Sequence, residues 1–421
     1  MFRKTILKNG LRLITAPMPG SKTATVLVLV KTGSKYETKE TNGISHFLEH
    51  MFFKGTKKRP TPADIVKDMD RIGGEYNAFT SKETTGYYAK VDPKHLDLSL
   101  DWISDIFLNS KFDEAEIKKE KRVILEEINM YYDLPMQYVG VLWEQLLYGD
   151  QPAGWPVWGN KETVLKIKKK DFLNYLKTRY SAKNSLVCVT GNFSNKEINK
   201  KIEKYFSKLD GRKFTEKKNV VEKQSKPEKL IYFKKTDQTH LCLGVRGYDI
   251  FHKDRYVLKV LGVILGGFMS SRLFQEVREK KGLAYYIRTS VDTNPDTGYL
   301  VTQAGVANEK TEEAIETVLN EYRKIKDGKV GKDELNRAKE HIKGSMLLNL
   351  ETSDELASFI AGQEIIKKEI LTPKQVFAEV DKISIDDIQR VAQDIFKSQK
   401  LNLALIGPFK NKQKFKEILK I

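Results

Sequence analysis

The strongest constraint on the fold is an order of elements that occurs twice. Residues 5 to 17 and 23 to 32 alternate in hydropathy as half-buried strands, with turns at Asn9-Gly10 and Pro19-Gly20. A helix follows around residue 46. Thr61 caps another that has Pro62 in its first turn and runs to Gly73-Gly74. Strand patterns at Glu75–Thr80 and Thr84–Val91 lead to helices at Pro93–Asn109 and Asp113–Tyr131. Pro135, Pro152 and Pro156 then punctuate a helix and a Trp-rich loop holding Trp143, Trp155 and Trp158. A helix at Asp171–Tyr180 and a strand at Ser185–Gly191 close the first pass. After a polar, charged stretch at 211–228 the order returns. It gives strands at 229–235 and 239–247, a helix from Asp254 to Leu265, Gly266-Gly267, and a helix to Lys280. Strands at 283–291 and 298–305 and helices at 309–327 and from 332 complete it. Phe112–Ile117 (FDEAEI) and Val330–Leu335 (VGKDEL) take matching places. The expectation is an α+β chain of two homologous domains, 1–210 and 229–421, joined by a linker at 211–228. Each is an antiparallel-rich sheet packed with helices.

The 421 residues, 40% hydrophobic and 31% charged, suffice for two cores, and apolar runs such as Val26–Val30 are far too short to span a bilayer. The opening residues lack the apolar core and cleavage site of a signal peptide. Cys188 and Cys242, the only cysteines, sit in strand-like apolar contexts without metal-ligand spacing, which suits buried free thiols in a reducing compartment. A cytoplasmic location is expected. The net charge of +18 is scattered along helix faces. The densest run, Lys166–Lys170, has no nucleic-acid module beside it, so neither nucleic acid nor membrane is expected as a partner. A Lys- and Glu-rich surface is the simpler reading.

Only six histidines occur in the chain, and two flank a glutamate in Gly43–Phe53 (GISHFLEHMFF). His46, Glu49 and His50 stand at i, i+3 and i+4, so on a helix they project from one face. Two imidazoles one turn apart can close on one cation, and Zn²⁺ accepts neutral histidine nitrogen. The carboxylate between them is placed to take a proton from a metal-bound water. Without a metal, burying these groups would be costly. The helix in the second half aligned with His46–His50 carries neither His nor Glu, and the place of Glu127 falls near Ser345. One live copy and one silent copy are expected.

A tetrahedral zinc held by two histidines needs one more protein ligand and leaves one position open. Glu120, Glu126 and Glu127 are available on the next long helix. Glu120 and Glu127, seven apart, share a face, and Glu126 points about 100° away. Spacing alone does not choose between the faces.

The H-x-x-E-H stretch, with these acids downstream, resembles the pitrilysin/insulinase/mitochondrial-processing-peptidase metallopeptidases. The chain is most similar to the short bacterial type with two domains, and the resemblance runs over essentially its whole length. In that family a third ligand, Glu, follows the motif after 76 residues, and 76 residues lie between His50 and Glu127. The resemblance therefore implies one zinc per chain on His46, His50 and Glu127, with Glu120 orienting a ligand. Gly73–Thr80 (GGEYNAFT) resembles the family's edge strand, so Asn77 and Ala78 would contact an extended substrate. Met269–Tyr285 resembles the second-half signature, which implies that Arg278 and Tyr285 reach the substrate and the developing oxyanion. Phe268 stands where relatives often have a third Gly.

The function so implied is a zinc-dependent endopeptidase acting on peptides or unstructured segments in a closed chamber. Metal-bound water would be the nucleophile and Glu49 the general base. A two-domain chain carrying both elements further implies a homodimer with Arg278 and Tyr285 acting in trans. The rival expectation is a non-catalytic core or assembly subunit that kept the fold.

Overall fold

The computed structural model describes residues 2–411 and 413–421. The first half runs β1 (Arg3–Ile6), β2 (Arg12–Pro17), β3 (Ala24–Val30), α1 (Ile44–Met51), α2 (Pro62–Asp70), β4 (Glu75–Thr80) and β5 (Thr85–Val91). Five helices follow, α3 (Leu96–Asn109), α4 (Glu114–Asp133), α5 (Pro135–Tyr148), α6 (Lys161–Lys166) and α7 (Lys169–Arg179), then β6 (Ser185–Gly191) and α8 (Asn195–Phe206). The second half runs β7 (Glu228–Phe233), β8 (Gln238–Arg246), α9 (Arg255–Gly266), a π-helical segment at Phe274–Lys280, β9 (Ala284–Thr293) and β10 (Gly298–Ala307). Its five helices are α10 (Thr311–Asp327), α11 (Lys332–Asn349), α12 (Ser353–Lys367), α13 (Pro373–Asp381) and α14 (Ile385–Ile395), and β11 (Leu401–Gly407) ends the series.

The duplication is visible strand by strand. The first sheet has the order β1-β2-β6-β3-β5-β4 and the second β7-β11-β8-β10-β9. Setting β1 aside, the two orders superpose. In each, the first strand pairs in parallel with the last (β2 with β6, β7 with β11), and every other pairing is antiparallel. The central strands β3, β6 and β11 are buried along their whole length, which accounts for their unbroken apolar runs. Edge strand β4 instead alternates exposed and half-buried residues.

The chain packs as two compact units, each discontinuous in sequence. One takes the chain up to Asn129, with Trp155–Lys218 and Leu348–Ile370. The other takes Met130–Gly154, Asn219–Leu347 and Leu371–Ile421. A cut at 211–228 separates the two sheets in sequence, but the third helix of each five-helix set is exchanged. α5 packs on β11 and β8, and α12 packs on β3 and β6. Trp143, expected in a loop, lies instead in α5. Its ring is fully buried and meets Tyr299 edge-on at 5.7 Å, because this helix needs an apolar face to cover the second sheet. α12 docks with Ala357, Ile360 and Ile365 against Ile14, Leu27 and Cys188. Polar anchors fix it as well: Ser353 Oγ lies 2.8 Å from the hydroxyls of both Thr23 and Thr25, and Glu364 pairs with Lys4 at 2.7 Å. Cys188 and Cys242 are free and buried. Among the described residues no helix is long and apolar enough to cross a membrane.

Candidate metal centre

α1 owes its position to a glycine and a buried acid. Gly43 starts the helix at φ +96°, and a Cβ there would lie 2.6 Å from the Trp158 carbonyl oxygen. Glu37, in the loop before it, accepts hydrogen bonds from the Gly43 and Ser45 backbone amides, both at 2.8 Å, and from the Asn42 side chain at 2.9 Å. These occupy helix N-terminal donors that would otherwise be unpaired. Burial pushes the Glu37 carboxyl up to about 7, against the lowering effect of these bonds. Phe47, Leu48 and Met51 bury the opposite face of α1, so His46, Glu49 and His50 turn the other way.

The imidazoles converge. His46 Nε2 and His50 Nε2 are 3.3 Å apart, and the two Glu127 carboxylate oxygens lie 3.5 Å from the first and 3.6 Å from the second. One donor atom from each of these three residues falls within 4.8 Å of the others. A shared cation could take the Nε2 lone pairs of both rings and a carboxylate oxygen together. Two imidazole nitrogens and a carboxylate are a donor set suited to a divalent transition metal. The side chains are 12% (His46), 21% (His50) and 23% (Glu127) exposed, so the cluster is accessible without being bathed in solvent.

Glu120 settles the orientation of one ring. Its Oε1 lies 2.8 Å from His50 Nδ1, and its Oε2 is 2.7 Å from Lys54 Nζ. The pairing places a proton on Nδ1 and leaves Nε2 as the free donor atom. Burial would raise the Glu120 carboxyl, but the bonds from His50 and Lys54 outweigh it and hold it below the ordinary value. Glu127 is lowered in the same sense, with His46 and His50 outweighing its burial. His46 Nδ1 is buried without a hydrogen-bond partner. Glu126 stands apart, exposed, where its carboxylate accepts from Asn129 at 3.3 Å.

β4 runs at the edge of the sheet and packs on α1. Asn77 is exposed on it, and its Oδ1 accepts from the Ala78 amide at 2.9 Å. Thr80, at the end of the same strand, donates from Oγ1 to Glu49 Oε2 at 2.5 Å. Arg278 and Tyr285 lie in the second unit. The Arg278 guanidinium sits 4.8 Å from the Phe274 ring centroid and 5.9 Å from that of Tyr285, which is 76% exposed. Lys54 lies past the end of α1, so helical spacing from His50 does not place it. Nothing local in the sequence signals Thr80 or Glu37.

The fold and this cluster together define a duplicated sheet-and-helix chain with, among the described residues, one metal-capable centre, and comparisons with known proteins agree. A family model described as Insulinase (Peptidase family M16) matches residues 12–158, and one described as Peptidase M16 inactive domain matches residues 166–342. A Bacillus subtilis protein named an uncharacterized zinc protease is 38% identical over 98% of this chain and 99% of its own length. A Rickettsia felis protein of the same description is 36% identical over 97% and 98%. The chain belongs to the insulinase family, peptidase family M16. In three dimensions it resembles a protease from Helicobacter pylori, with a TM-score of 0.89 at 25% identity, covering 97% of this chain and 99% of that one. A chain of complex III from Candida albicans has the same fold, with a TM-score of 0.86 at 19% identity and coverage of 99% and 98%.

Proposed function

We propose that the chain is a zinc-dependent endopeptidase acting on peptides or unstructured polypeptide segments. The observation that carries this reading is the convergence of His46, His50 and Glu127, with Glu49 between the histidines on the same helix. Bound zinc supplies a Lewis acid that polarises the scissile carbonyl and acidifies water. The Nε2 atoms of His46 and His50 and the Glu127 carboxylate hold the ion, one per chain. Glu120 keeps the His50 ring in register. Glu49 takes the proton from the attacking water and passes it to the leaving amine. Asn77 and Ala78 offer the edge of β4 to an extended substrate, which adds its backbone as a further strand. Arg278 and Tyr285 carry the cationic and hydroxyl groups for the developing oxyanion, acting in trans within a homodimer.

The test is metal content together with hydrolysis of a quenched-fluorescent peptide library, with Glu49→Gln alongside. About one zinc per chain, turnover abolished by a chelator, and a variant that keeps zinc but not turnover are expected. Absence of both zinc and turnover would refute the reading. The alternative, a non-catalytic core or assembly subunit, draws on the shared fold of the complex III chain, and zinc without turnover would favour it. For the homodimer, mixed Glu49→Gln and Tyr285→Phe chains should regain activity, and no recovery despite subunit exchange would exclude action in trans.

A further inference from the structure

We infer that Thr80 is a positioning residue for Glu49, and that through it the edge strand sets the orientation of the general base. The inference rests on the peptidase reading of Glu49. Tyr76, Ala78 and Thr80 are the half-buried residues of β4 and share one face, as the two-residue period requires. That face carries two links to α1 and the turn after it: the Tyr76 ring stacks on Phe53 at 6.5 Å, and the Thr80 hydroxyl bonds to Glu49. The anchor is rigid. Thr80 pairs with Thr85 at the end of the β4–β5 ladder, and the turn beyond is closed by a 2.8 Å bond from the Ser81 amide to the Thr84 carbonyl. The main chain at Ser34 and Lys35 grips this turn from the other side, donating to Ser81 O at 3.1 Å and Lys82 O at 3.0 Å.

Glu49 has three side-chain torsions, and among the described residues Thr80 is its hydrogen-bond donor. With Oε2 held by the Thr80 hydroxyl, the carboxylate keeps free lone pairs on Oε1 to accept a proton, and the rotamer is chosen before substrate arrives. The strand proposed to receive substrate is thus the strand that aims the base. Thr80 touches neither the metal donors nor the substrate in this account, and acts through Glu49 alone.

The test measures kcat, KM and bound zinc for wild type, Thr80→Val, Thr80→Ser and Glu49→Gln, with crystal structures of wild type and Thr80→Val. The valine variant keeps shape and loses the hydroxyl. Its kcat should fall about tenfold or more, with KM within about twofold and zinc unchanged. Serine should restore most of the loss, and valine should cost nothing further on the Glu49→Gln background. The Glu49 carboxylate should leave its wild-type position in the valine structure. Wild-type kcat in Thr80→Val, a loss that serine does not restore, or an unmoved Glu49 would overturn the inference. If valine does not fold, Thr80→Ala takes its place under the same criteria. An inactive wild type would instead sink the peptidase reading, and an active Glu49→Gln the assignment of Glu49 as base; the position of Glu49 in the two structures would still decide whether Thr80 orients it.

Discussion

The two units share a strand order and a series of helices, yet they close the space beneath the first helix in opposite ways. α1 presents His46, Glu49 and His50, whereas its counterpart α9 (RYVLKVLGVILG) presents no imidazole and no acid. α4 brings Glu120 and Glu127 to the cluster. At the matching places α11 carries Ala338, which is fully buried, and Ser345. One scaffold therefore carries, at matching helix positions, either a cluster of acids and imidazoles or small side chains. The polar version persists because its buried carboxylate is partnered, Glu120 by both His50 and Lys54. The N-termini of the two helices differ in the same spirit. α1 is held by the Glu37 carboxylate, whereas Asp254 at the start of α9 makes no side-chain cap and its carboxylate is gripped by Arg390 of α14 through two 2.8 Å bonds. α7, the counterpart of α14, reaches α1 through Tyr175, whose hydroxyl lies 2.7 Å from Ser45 Oγ.

This contrast can be broken deliberately, and the largest effect belongs to the polar side. Glu49→Gln should lower turnover by roughly 10² to 10⁴-fold while leaving metal content intact, as read by peptide hydrolysis and metal analysis of the same sample. Next comes the second unit: Ala338→Glu would push a carboxylate into the apolar cluster that Ala338 shares with Leu335 and Ile342. A loss of about 3 kcal/mol or more in denaturant unfolding is expected. Trp143→Ala should cost a similar amount, about 3–5 kcal/mol, because the exchanged helix α5 docks through that ring. Ser353→Ala on α12 should cost only about 1–2 kcal/mol, since apolar contacts carry the rest of that docking. Glu120→Ala should weaken metal affinity about 10- to 100-fold in competition with a chelating indicator, with no change in strand content.

The smallest effect is a pair of opposed pH dependences. The Glu37 carboxyl is raised on folding from 4.5 to about 7, so its contribution to stability is full below 4.5 and fades as pH rises to about 7. The Asp254 carboxyl is lowered by Arg390, so its contribution is present above its ordinary value of 3.8 and is lost as pH falls below it. Melting temperatures of Glu37→Gln and Asp254→Asn against wild type, taken across about pH 3 to 8, should therefore diverge at opposite ends of the range.

Much of the scaffold was legible beforehand because its signals are local. Thr61-Pro62 did open a helix, with Thr61 Oγ1 accepting from the Asp64 amide at 3.2 Å, and the alternating and apolar runs became β3, β4, β5 and β6 near their expected limits. The duplication followed from element order alone. Local pattern says only that a helix has an apolar face, however, and not which sheet will cover it. That is why the exchange of α5 and α12 and the place of Trp143 were not foreseen. Helix α8 buries a narrow stripe, Ile198, Ile202 and Phe206, on an otherwise polar sequence.

For the centre itself, the i, i+3, i+4 spacing on α1 was enough to put His46, Glu49 and His50 on one face, because backbone geometry makes that consequence unavoidable. The choice among Glu120, Glu126 and Glu127 was not settled by spacing, because a helix's rotation about its axis is set by what it packs against. Tertiary structure turned Glu120 and Glu127 toward the imidazoles and left Glu126 exposed beside Asn129. It also supplied Glu37 behind α1 and Thr80 in front of Glu49, contacts across 8 and 31 residues. Sequence determined which donors exist and which face of their own helix they occupy. Only the packing of one element on another decided which of them meet.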